Sequence, residues 1–308
     1  MKQEELLLPQ HWKHVQAHSP ASSKRVINLP QDFTEFNTMI GNPIHPETRQ
    51  PTKMLDYQVD YFDKVTQNHK LILNKSRKIG ATETALRIIL YNILLGPYSN
   101  HGIMIVAGNK QTVANKFIKR MYNILQPGFN DLNNNYWGAE NLLNSHSSNV
   151  LDFHNGAFVE AFPASDSVRG IENTICIFMS EAAFIDLIDD REVYNAVKPN
   201  IANITNADFI LESTPNGRRG FFFEEYRSSQ KKLNEFTWLE QPYTVALGTL
   251  LSKEFIENEK KNPKIDFEQE YCCQFTTSQS AAFGVDTLKW GNEDMPFTDY
   301  TNVPGPIN

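Results

Sequence analysis

Eight residues from Lys75 to Thr82 have the types and the spacing that bind phosphate groups. They are Lys75, Ser76, Arg77, Lys78, Ile79, Gly80, Ala81 and Thr82. At a turn between a strand and a helix, backbone amides and the positive helix end bind phosphate oxygens. Compared with the pattern GxxxxGK[ST], the last glycine and the hydroxyl are present, but Ala81 replaces the lysine and Ser76 stands one place after the expected first glycine. A basic loop without a ligand is the alternative interpretation.

The positive charge of this loop lies upstream of its usual position, on Lys75, Arg77 and Lys78. Long side chains there can still reach the β- and γ-phosphates of a nucleotide. The sequence does not decide which of the three does so. Thr82 is placed to cap the following helix and to bind Mg²⁺ through its hydroxyl.

Two further apolar runs end in polar residues that suit a phosphate site. Residues 175–179 are followed by Ser180 and Glu181, and carboxylates at that position hold Mg²⁺ and polarise an attacking water. Residues 210–211 lead into a polar turn at 212–217, which is suited to sensing the terminal phosphate. Because the carboxyl ends of parallel strands meet at one edge of a sheet, we expect the three segments to converge there.

The elements that must position these residues alternate between strands and helices. The apolar pattern predicts strands at residues 71–73, 102–107, 150–153, 157–162, 175–179 and 209–211, and helices at 83–95, 111–125 and 253–262. This order indicates an α/β domain with a largely parallel sheet. We expect an irregular arm with one short helix in the first fifty residues, a loop over residues 126–149, and an unfolded tail over residues 292–308.

Composition excludes several classes of protein. The chain has 308 residues, of which 40% are hydrophobic, so it is long and apolar enough to bury a core and is not intrinsically disordered. No apolar run reaches the length of a membrane span, and the first residues do not have the order of a secretory signal. Three cysteines give neither a disulfide framework nor metal-ligand spacing. We therefore expect a soluble protein of the cell interior.

The net charge of −7 conceals an asymmetry along the chain. Residues 66–120 contain nine basic residues and one acidic residue, so this segment carries +8 and the remainder carries −15. A basic segment in an acidic protein indicates a phosphate site or a nucleic-acid contact, and scattered solvated side chains are the alternative. In the predicted helix at 111–125, Lys116, Lys119 and Arg120 share one face, which would allow contact with a DNA backbone.

Other candidate sites have a simpler interpretation. His11, His14 and His18 have helical spacing that suits a metal, but no acid or cysteine completes the ligand set, so we interpret them as solvated. An acidic turn is the interpretation for Asp186, Asp189 and Asp190. Cys176 is predicted to be inert core, and Phe221, Phe222 and Phe223 are predicted to anchor a helix to the core.

In order along the chain, several motifs resemble those of the large terminase subunits of tailed phages, which are ATP-driven DNA-packaging motors. Residues 76–82 resemble their variant Walker A, residues 180–184 their Walker B, and residues 213–217 their coupling motif. Gln58 matches the glutamine that reads adenine, and Arg169 matches an arginine that the family supplies to the ATP of a neighbouring subunit. Residues 269–271 with Phe275 resemble the stretch that closes the ATPase region, so the resemblance extends from about Leu55 to Phe275.

This resemblance implies a fold and a division of the chain. The implied fold is α/β: a RecA-like P-loop ATPase of the additional-strand type, with a mostly parallel sheet flanked by helices and a small lid built from the chain ends. Residues 1–54 would form an arm and part of the lid, 55–250 the ATPase core, and 251–308 a closing helix and a linker towards a nuclease domain. Few residues follow Phe275, so we expect no nuclease active site here. The expectation is that the chain is a fragment or a single-domain form, or that the nuclease is encoded elsewhere.

The resemblance also implies ATP and Mg²⁺ as cofactors and a role for each site residue. Lys75, with Arg77 or Lys78 as substitutes, and the amides of residues 76–82 would bind the phosphates. Thr82, Glu181 and, through a water, Ser180 would hold Mg²⁺. Ser180 stands where the family usually has aspartate, so we expect a weaker metal site.

The catalytic and coupling roles implied by the resemblance fall on a second set of residues. Glu181 would activate the attacking water, and Arg169 would reach the γ-phosphate of an adjacent subunit. Ser213, Thr214 and Pro215 would couple hydrolysis to domain movement.

The implied partners are double-stranded DNA bound without sequence preference, a portal protein and a small terminase subunit. A homo-oligomeric ring with five subunits is expected, with no membrane contact, in the host cytoplasm and transiently at the procapsid portal. Two alternatives stay open. One is a helicase-like ATPase of another lineage. The other is a nucleotide-binding structural subunit with little turnover, which Ala81 and Ser180 would explain.

Overall fold

In the computed structural model, residues 26–165, 168, 170–185 and 190–276 are described, and they contain ten strands and nine α-helices. The strands are β1 (Lys70–Lys75), β2 (Gly102–Ala107), β3 (Phe129–Asn130), β4 (Tyr136–Trp137), β5 (Leu143–His146), β6 (Val150–Phe153), β7 (Phe158–Phe162), β8 (Thr174–Ser180), β9 (Asp208–Ser213) and β10 (Thr237–Gln241). The helices are α1 (Phe33–Ile40), α2 (Asp56–Asn68), α3 (Ala81–Leu94), α4 (Gln111–Leu125), α5 (Ala139–Leu142), α6 (Asp190–Val197), α7 (Gly220–Gln230), α8 (Lys253–Lys260) and α9 (Phe267–Glu270).

Eight strands form one sheet in the order β10-β1-β9-β8-β2-β7-β6-β5. The pairs from β10 to β7 are all parallel, and β6 and β5 extend the sheet with antiparallel pairs. Strand β9 lies between β1 and β8, as the additional-strand type requires. The prediction of an α/β fold with a mostly parallel sheet is therefore confirmed.

The sheet is buried on both faces because its central strands are apolar at most positions. Alternate residues of β1 enter different clusters: Leu71 and Leu73 belong to the larger core, and Ile72 belongs to the smaller one. The larger core includes residues of α1 to α4, and the smaller one includes residues of α6 and α7. This two-sided burial is typical of parallel sheets with helices on both faces.

Several predictions about individual residues in this core are confirmed. Cys176 is fully buried within β8. Phe221 and Phe222 of α7 are also buried, so they anchor the helix as predicted. The interpretation of Asp190 as part of an acidic turn is wrong, because Asp190 is the first residue of α6 and its carboxylate accepts a hydrogen bond from the Phe221 amide at 3.1 Å. Among the described residues, no helix has the length and apolar character needed to cross a membrane, and no group of three or more His, Cys, Asp or Glu residues could hold a metal ion.

The prediction of a loop over residues 126–149 is wrong. This segment contains β3, β4, α5 and β5. The Asp131 carboxylate organises it, because it accepts hydrogen bonds from the amides of Asn28 and Asn135 and from the Trp137 indole. Desolvation raises the pKa of Asp131, but the bonds from the Asn135 and Asn28 amides help to lower it to about 2. The Asn- and Gly-rich composition of this segment predicted only turns. The short strands could not be predicted, because the hydrogen bonds of the Asp131 side chain hold the segment together and composition does not show them.

Within residues 26–50, the described part of the predicted arm, α1 is the one helix, and it is packed into the core. Asp32 caps it by accepting from the Glu35 amide at 2.8 Å, and the Phe33 ring stacks on Phe62 with centroids 4.2 Å apart. At the other end of the described chain, Ile256 and Tyr271 join the same core. The division at residues 54/55 and 250/251 stays a prediction. His11, His14, His18, Asp186, Asp189 and the tail at 292–308 lie outside the described residues.

Candidate functional site

Three strand ends meet at one edge of the sheet and surround a cleft. Strand β1 ends at Lys75, β8 at Ser180 and β9 at Ser213, and their register places Asn74 beside Ser213 and Ser180 beside Glu212. The cleft has a volume of about 430 Å³. It is lined by residues 75–83 together with Arg120, Glu181 and Phe184.

The loop from Lys75 to α3 presents unpaired backbone amides to this cleft. The amides of Ser76 and Arg77 are used internally, because they donate to the carbonyls of Gln241 (2.8 Å) and Glu270 (3.0 Å). Within the described ranges, no carbonyl or side chain accepts a hydrogen bond from the amides of residues 80–82. These three amides lie at the positive end of α3, and together they form an anion site.

Gly80 is required by the backbone of this loop. Its φ is +79°, and a Cβ at this position would lie 2.9 Å from Gln58 Nε2 and 3.3 Å from Leu250 Cδ1. Gly80→Ala therefore strains the turn by about 1–3 kcal/mol unless the loop shifts. A loop that shifts to relieve this strain must be restored when ADP binds, so we expect this variant to bind ADP about 5–150-fold more weakly.

The measurement for Gly80→Ala is a titration with a fluorescent ADP analogue. Gly41→Ala is the matched control, because Gly41 also has positive φ (+101°) but has no atom within 4 Å of a built Cβ. Equal ADP affinity for Gly80→Ala and the wild type would show that the turn does not bind phosphate.

Lys75 and Glu181 form an ion pair at the back of the cleft. Lys75 Nζ donates to Glu181 Oε1 at 2.8 Å; the lysine side chain is 7% exposed and the glutamate side chain 46% exposed. Burial by itself lowers the pKa of Lys75, but the Glu181 and Glu212 carboxylates outweigh it and the pKa is raised. The ammonium group therefore stays charged at neutral pH.

Glu181 lies on a turn that residues of the predicted coupling motif hold in place. Its φ of +55° is unusual for a residue with a side chain and opens the 3₁₀ turn Ala182–Phe184. Ser213 Oγ accepts from the Ala183 amide at 3.1 Å, and Asn216 Nδ2 donates to the Ala183 carbonyl at 2.9 Å. Thr214 and Pro215 are buried behind them. The structure thus brings Ser213 and Glu181 together.

The other two basic residues of the loop have partners outside the cleft. The Arg77 guanidinium pairs with Glu270, and Lys78 Nζ lies 4.4 Å from the centre of the Phe255 ring. Gln269, next to Glu270, contacts the predicted coupling motif, because its Oε1 accepts a hydrogen bond from the Gly217 amide at 2.8 Å. Residues 269–270 therefore touch both the phosphate loop and the coupling turn, a contact that their resemblance did not predict.

Gln58 and Arg169 differ in what the structure shows of them. Gln58 is buried, its Oε1 accepts from the Leu55 amide at 3.0 Å, and its Nε2 lies against the loop at Gly80. Its role as the adenine reader stays a prediction. Arg169 lies outside the described residues.

Two site residues were missed by the sequence reasoning. Arg120 of α4 lines the cleft and donates to Glu83 at 3.0 Å. Glu212 of β9 is fully buried, and its Oε1 accepts from Thr82 Oγ1 at 2.6 Å and from Ser180 Oγ at 3.0 Å. Burial raises the pKa of Glu212, and the Lys75 charge opposes that rise. An acid that directly follows the apolar run Phe209–Leu211 was the signal that could have identified it.

The side chains at this edge fit Mg²⁺ by their donor chemistry. Thr82 and Ser180 offer hydroxyl oxygens, and Glu181 and Glu212 offer carboxylate oxygens, which are the hard ligands that Mg²⁺ prefers. Glu212 Oε2 is buried and accepts no hydrogen bond in the described part of the chain. Such an atom is consistent with a site that accommodates a cation.

No family model and no curated protein sequence matches this chain. Solved structures do. The large terminase of bacteriophage HK97 is similar with a TM-score of 0.62 and 15% sequence identity, over 77% of this chain and 54% of that one. The large terminase of a thermophilic bacteriophage in complex with ADP is similar with a TM-score of 0.56 and 15% identity, over 72% of this chain and 54% of that one. Its complex with ATP-γ-S gives 0.54 and 16%, over 72% and 53%.

These similarities agree with the order of motifs that the sequence presents. The chain spans about half the length of the solved terminases that it matches. At this level of identity the likeness concerns the fold. The resemblance to phage large terminases is therefore confirmed in three dimensions: the chain has the fold of these proteins over about half of their length.

Proposed function

We propose that this chain is the ATP-hydrolysing motor domain of a viral large terminase subunit, which drives double-stranded DNA into a procapsid. The observation that carries the proposal is the position of Glu181. Its carboxylate is held by the Lys75 ammonium, half exposed, at a cleft that also presents the amides of residues 80–82. A carboxylate and an anion site that share one cleft are the arrangement needed to bring water to a phosphate.

The residues of the cleft have separable roles in this proposal. The amides of residues 80–82 and Lys75 bind the phosphate oxygens. Lys75 has three N–H donors, and only one of them is needed for Glu181 Oε1, so the same ammonium can also donate to a phosphate. Glu181 then keeps its second oxygen for the proton of the attacking water.

Thr82, Glu181 and, by way of a water, Ser180 would hold Mg²⁺, which when bound would neutralise charge at the phosphates. Ser213 and Asn216 fix the turn that carries Glu181, so movement of the coupling turn changes the position of the base. Arg169 would complete the site of a neighbouring subunit, which is why we propose a ring, with five subunits. The portal protein and a small terminase subunit are its proposed partners, in the host cytoplasm and transiently at the procapsid.

Helix α4 is the surface that we propose for DNA. Five of the nine basic residues at 66–120 pair with carboxylates; these five are Lys70, Lys75, Arg77, Arg87 and Arg120. Three of the partner carboxylates come from outside the segment, so they reduce its local charge only from +8 to +5. Lys110, Lys116 and Lys119 are exposed at or along α4. Contacts from such lysines to phosphates are salt-sensitive and independent of sequence.

We expect linear duplex DNA to raise the steady-state ATPase rate of the chain, with a strong dependence on salt. Lys116→Ala with Lys119→Ala should reduce the slope of log affinity against log salt by about 2, since each phosphate contact contributes about 0.9. Turnover without DNA should not change. The matched control is Lys253→Ala with Lys264→Ala, two exposed lysines in another part of the chain.

The same assay distinguishes the alternatives. Separation of the strands of a tailed duplex, without stimulation by blunt duplex DNA, would favour a helicase-like ATPase. Binding of ATP at high Mg²⁺ without turnover, with or without DNA, would favour a structural subunit. Failure to bind ATP at all would contradict every version of the proposal.

A further inference from the structure

Glu212 occupies a position at the sheet edge to which the proposed mechanism assigns no role. It is the last residue but one of β9, and the register places it beside Ser180 of β8 and Leu73 of β1. Its neighbour Ser180 is the residue at which the expected carboxylate is missing. The nearest buried carboxylate therefore lies on the adjacent strand, directly across the ladder.

The hydrogen bonds of Glu212 fix the direction of two hydroxyl groups. Thr82 Oγ1 donates to its Oε1 at 2.6 Å, and Ser180 Oγ donates to the same atom at 3.0 Å. A hydroxyl group has one hydrogen and two lone pairs. Because Thr82 uses its one hydrogen in the bond to Glu212, the lone pairs of its oxygen face away from Glu212. Thr82 itself lines the cleft. Glu212 thus turns the acceptor side of Thr82 towards the ligand.

The charge of Glu212 is not required by these two hydrogen bonds. Glu212 is 0% exposed, and a further polar neighbour among the described residues is the buried Tyr61 hydroxyl, which lies close to the carboxylate without forming a well-placed hydrogen bond to Oε2. A buried carboxylate is costly unless charge compensates it, whereas a neutral amide oxygen could accept from the same hydroxyls. Lys75 lies close enough to act on it, but its ammonium is hydrogen-bonded to Glu181. The site therefore holds more negative charge than the hydroxyls need.

We propose that Glu212 supplies, from the neighbouring strand, the carboxylate charge that Ser180 does not provide for Mg²⁺. It is a positioning residue, because it acts on the metal through the Thr82 and Ser180 hydroxyls. In P-loop NTPases Mg²⁺ is held by the loop hydroxyl and a carboxylate at a strand end. Here Thr82 would be that hydroxyl, and Glu212 would supply the carboxylate charge from behind it, through its hydrogen bonds to Thr82 and Ser180. The inference rests on the proposed nucleotide site.

The test is the Mg²⁺ dependence of nucleotide binding, which does not require turnover. A fluorescent ADP analogue is titrated in EDTA and at a series of Mg²⁺ concentrations, and bound Mn²⁺ is counted by electron paramagnetic resonance in the presence of ADP. For Glu212→Gln we expect metal-free ADP affinity close to that of the wild type. The Mg²⁺ concentration at half effect should rise by about 10–100-fold, as is usual when a residue that orients a metal ligand is lost.

A variant with the carboxylate at position 180 tests whether Glu212 acts through its charge or only supports the local structure. Ser180→Asp combined with Glu212→Gln moves the charge across the ladder, and we expect it to recover most of the lost Mg²⁺ and Mn²⁺ affinity. Asp208→Asn is the matched control, because Asp208 is a buried acid at the opposite end of the same strand, where Tyr98 and His69 bind it. Its Mg²⁺ dependence should equal that of the wild type.

The outcomes distinguish the two proposals. If the wild type binds ADP and Glu212→Gln keeps the same Mg²⁺ dependence, the inference is wrong and the proposed function stands. If the wild type binds no ADP with or without Mg²⁺, the proposed function fails first and the inference fails with it. Should Glu212→Gln not fold, Glu212→Asp withdraws the carboxylate by one methylene and keeps its charge, and unchanged metal affinity in that variant would overturn the inference.

Discussion

Replacing Glu181 with glutamine is expected to lower the ATP turnover rate by about 10²–10⁴-fold, the usual contribution of a general base. The amide keeps the size of the side chain, and its carbonyl oxygen can still accept from Lys75 Nζ, which lies 2.8 Å from Glu181 Oε1. The substitution removes the negative charge and with it the ability to take a proton from water. ATP affinity should therefore stay close to that of the wild type, and the loss should appear in kcat.

The measurement is steady-state ATP hydrolysis at saturating ATP and Mg²⁺, beside a binding titration on the same protein. Glu192→Gln is the control, because it makes the same change at an exposed position on α6. Full turnover in Glu181→Gln would remove Glu181 from the catalytic role. It would also leave the ion pair with Lys75 as a structural contact only.

The second large effect is expected for Lys75→Ala, which should weaken ATP binding and abolish turnover. A hydrogen bond to a charged group contributes about 1.5–3 kcal/mol, so the loss of Lys75 should weaken ATP binding by about 10–150-fold. Glu181 loses the partner that holds it, and Glu212 loses the charge that lowers its pKa. Turnover should fall further than binding, because the base is no longer positioned.

Arg77→Ala and Lys78→Ala are the matched variants for Lys75→Ala. Arg77 pairs with Glu270 and Lys78 packs on Phe255, so we expect smaller losses of ATP affinity from both. The titration ranks the three basic residues by their contribution to phosphate binding. A larger loss for Arg77→Ala than for Lys75→Ala would move the phosphate contact to Arg77.

The elements with strong local patterns could be predicted from the sequence. Strand β2 and helix α4 have the predicted ends, because an apolar run and a 3.6-residue period are properties of consecutive residues. Helix α2 and strand β10 were not predicted. Their residues are more polar and become ordered by packing against other elements, as when Gln241 Nε2 donates to the Tyr57 carbonyl at 2.6 Å.

The site residues that directly follow a strand could be predicted from the sequence, but the distant residues that contact them could not. Gly80, Thr82 and Glu181 follow from their place after a strand. Glu212 meets Thr82 across 130 positions of the chain, and that contact depends on β9 lying between β1 and β8. The basic segment at 66–120 shows the same limit, because the carboxylates that neutralise it come partly from Glu181, Glu235 and Glu270.

The contacts around Glu181 form a closed circuit of residues. From Glu181 the path runs through Ala183 to Ser213 and Asn216, then from Gly217 to Gln269. It continues from Glu270 to Arg77 and returns from Lys75 to Glu181. A closed linkage has fewer independent motions than an open chain, so no one joint can be displaced without moving the others. A nucleotide that shifts the segment between Lys75 and Gly80 must therefore also move the turn at Gly217, on the far side of the circuit.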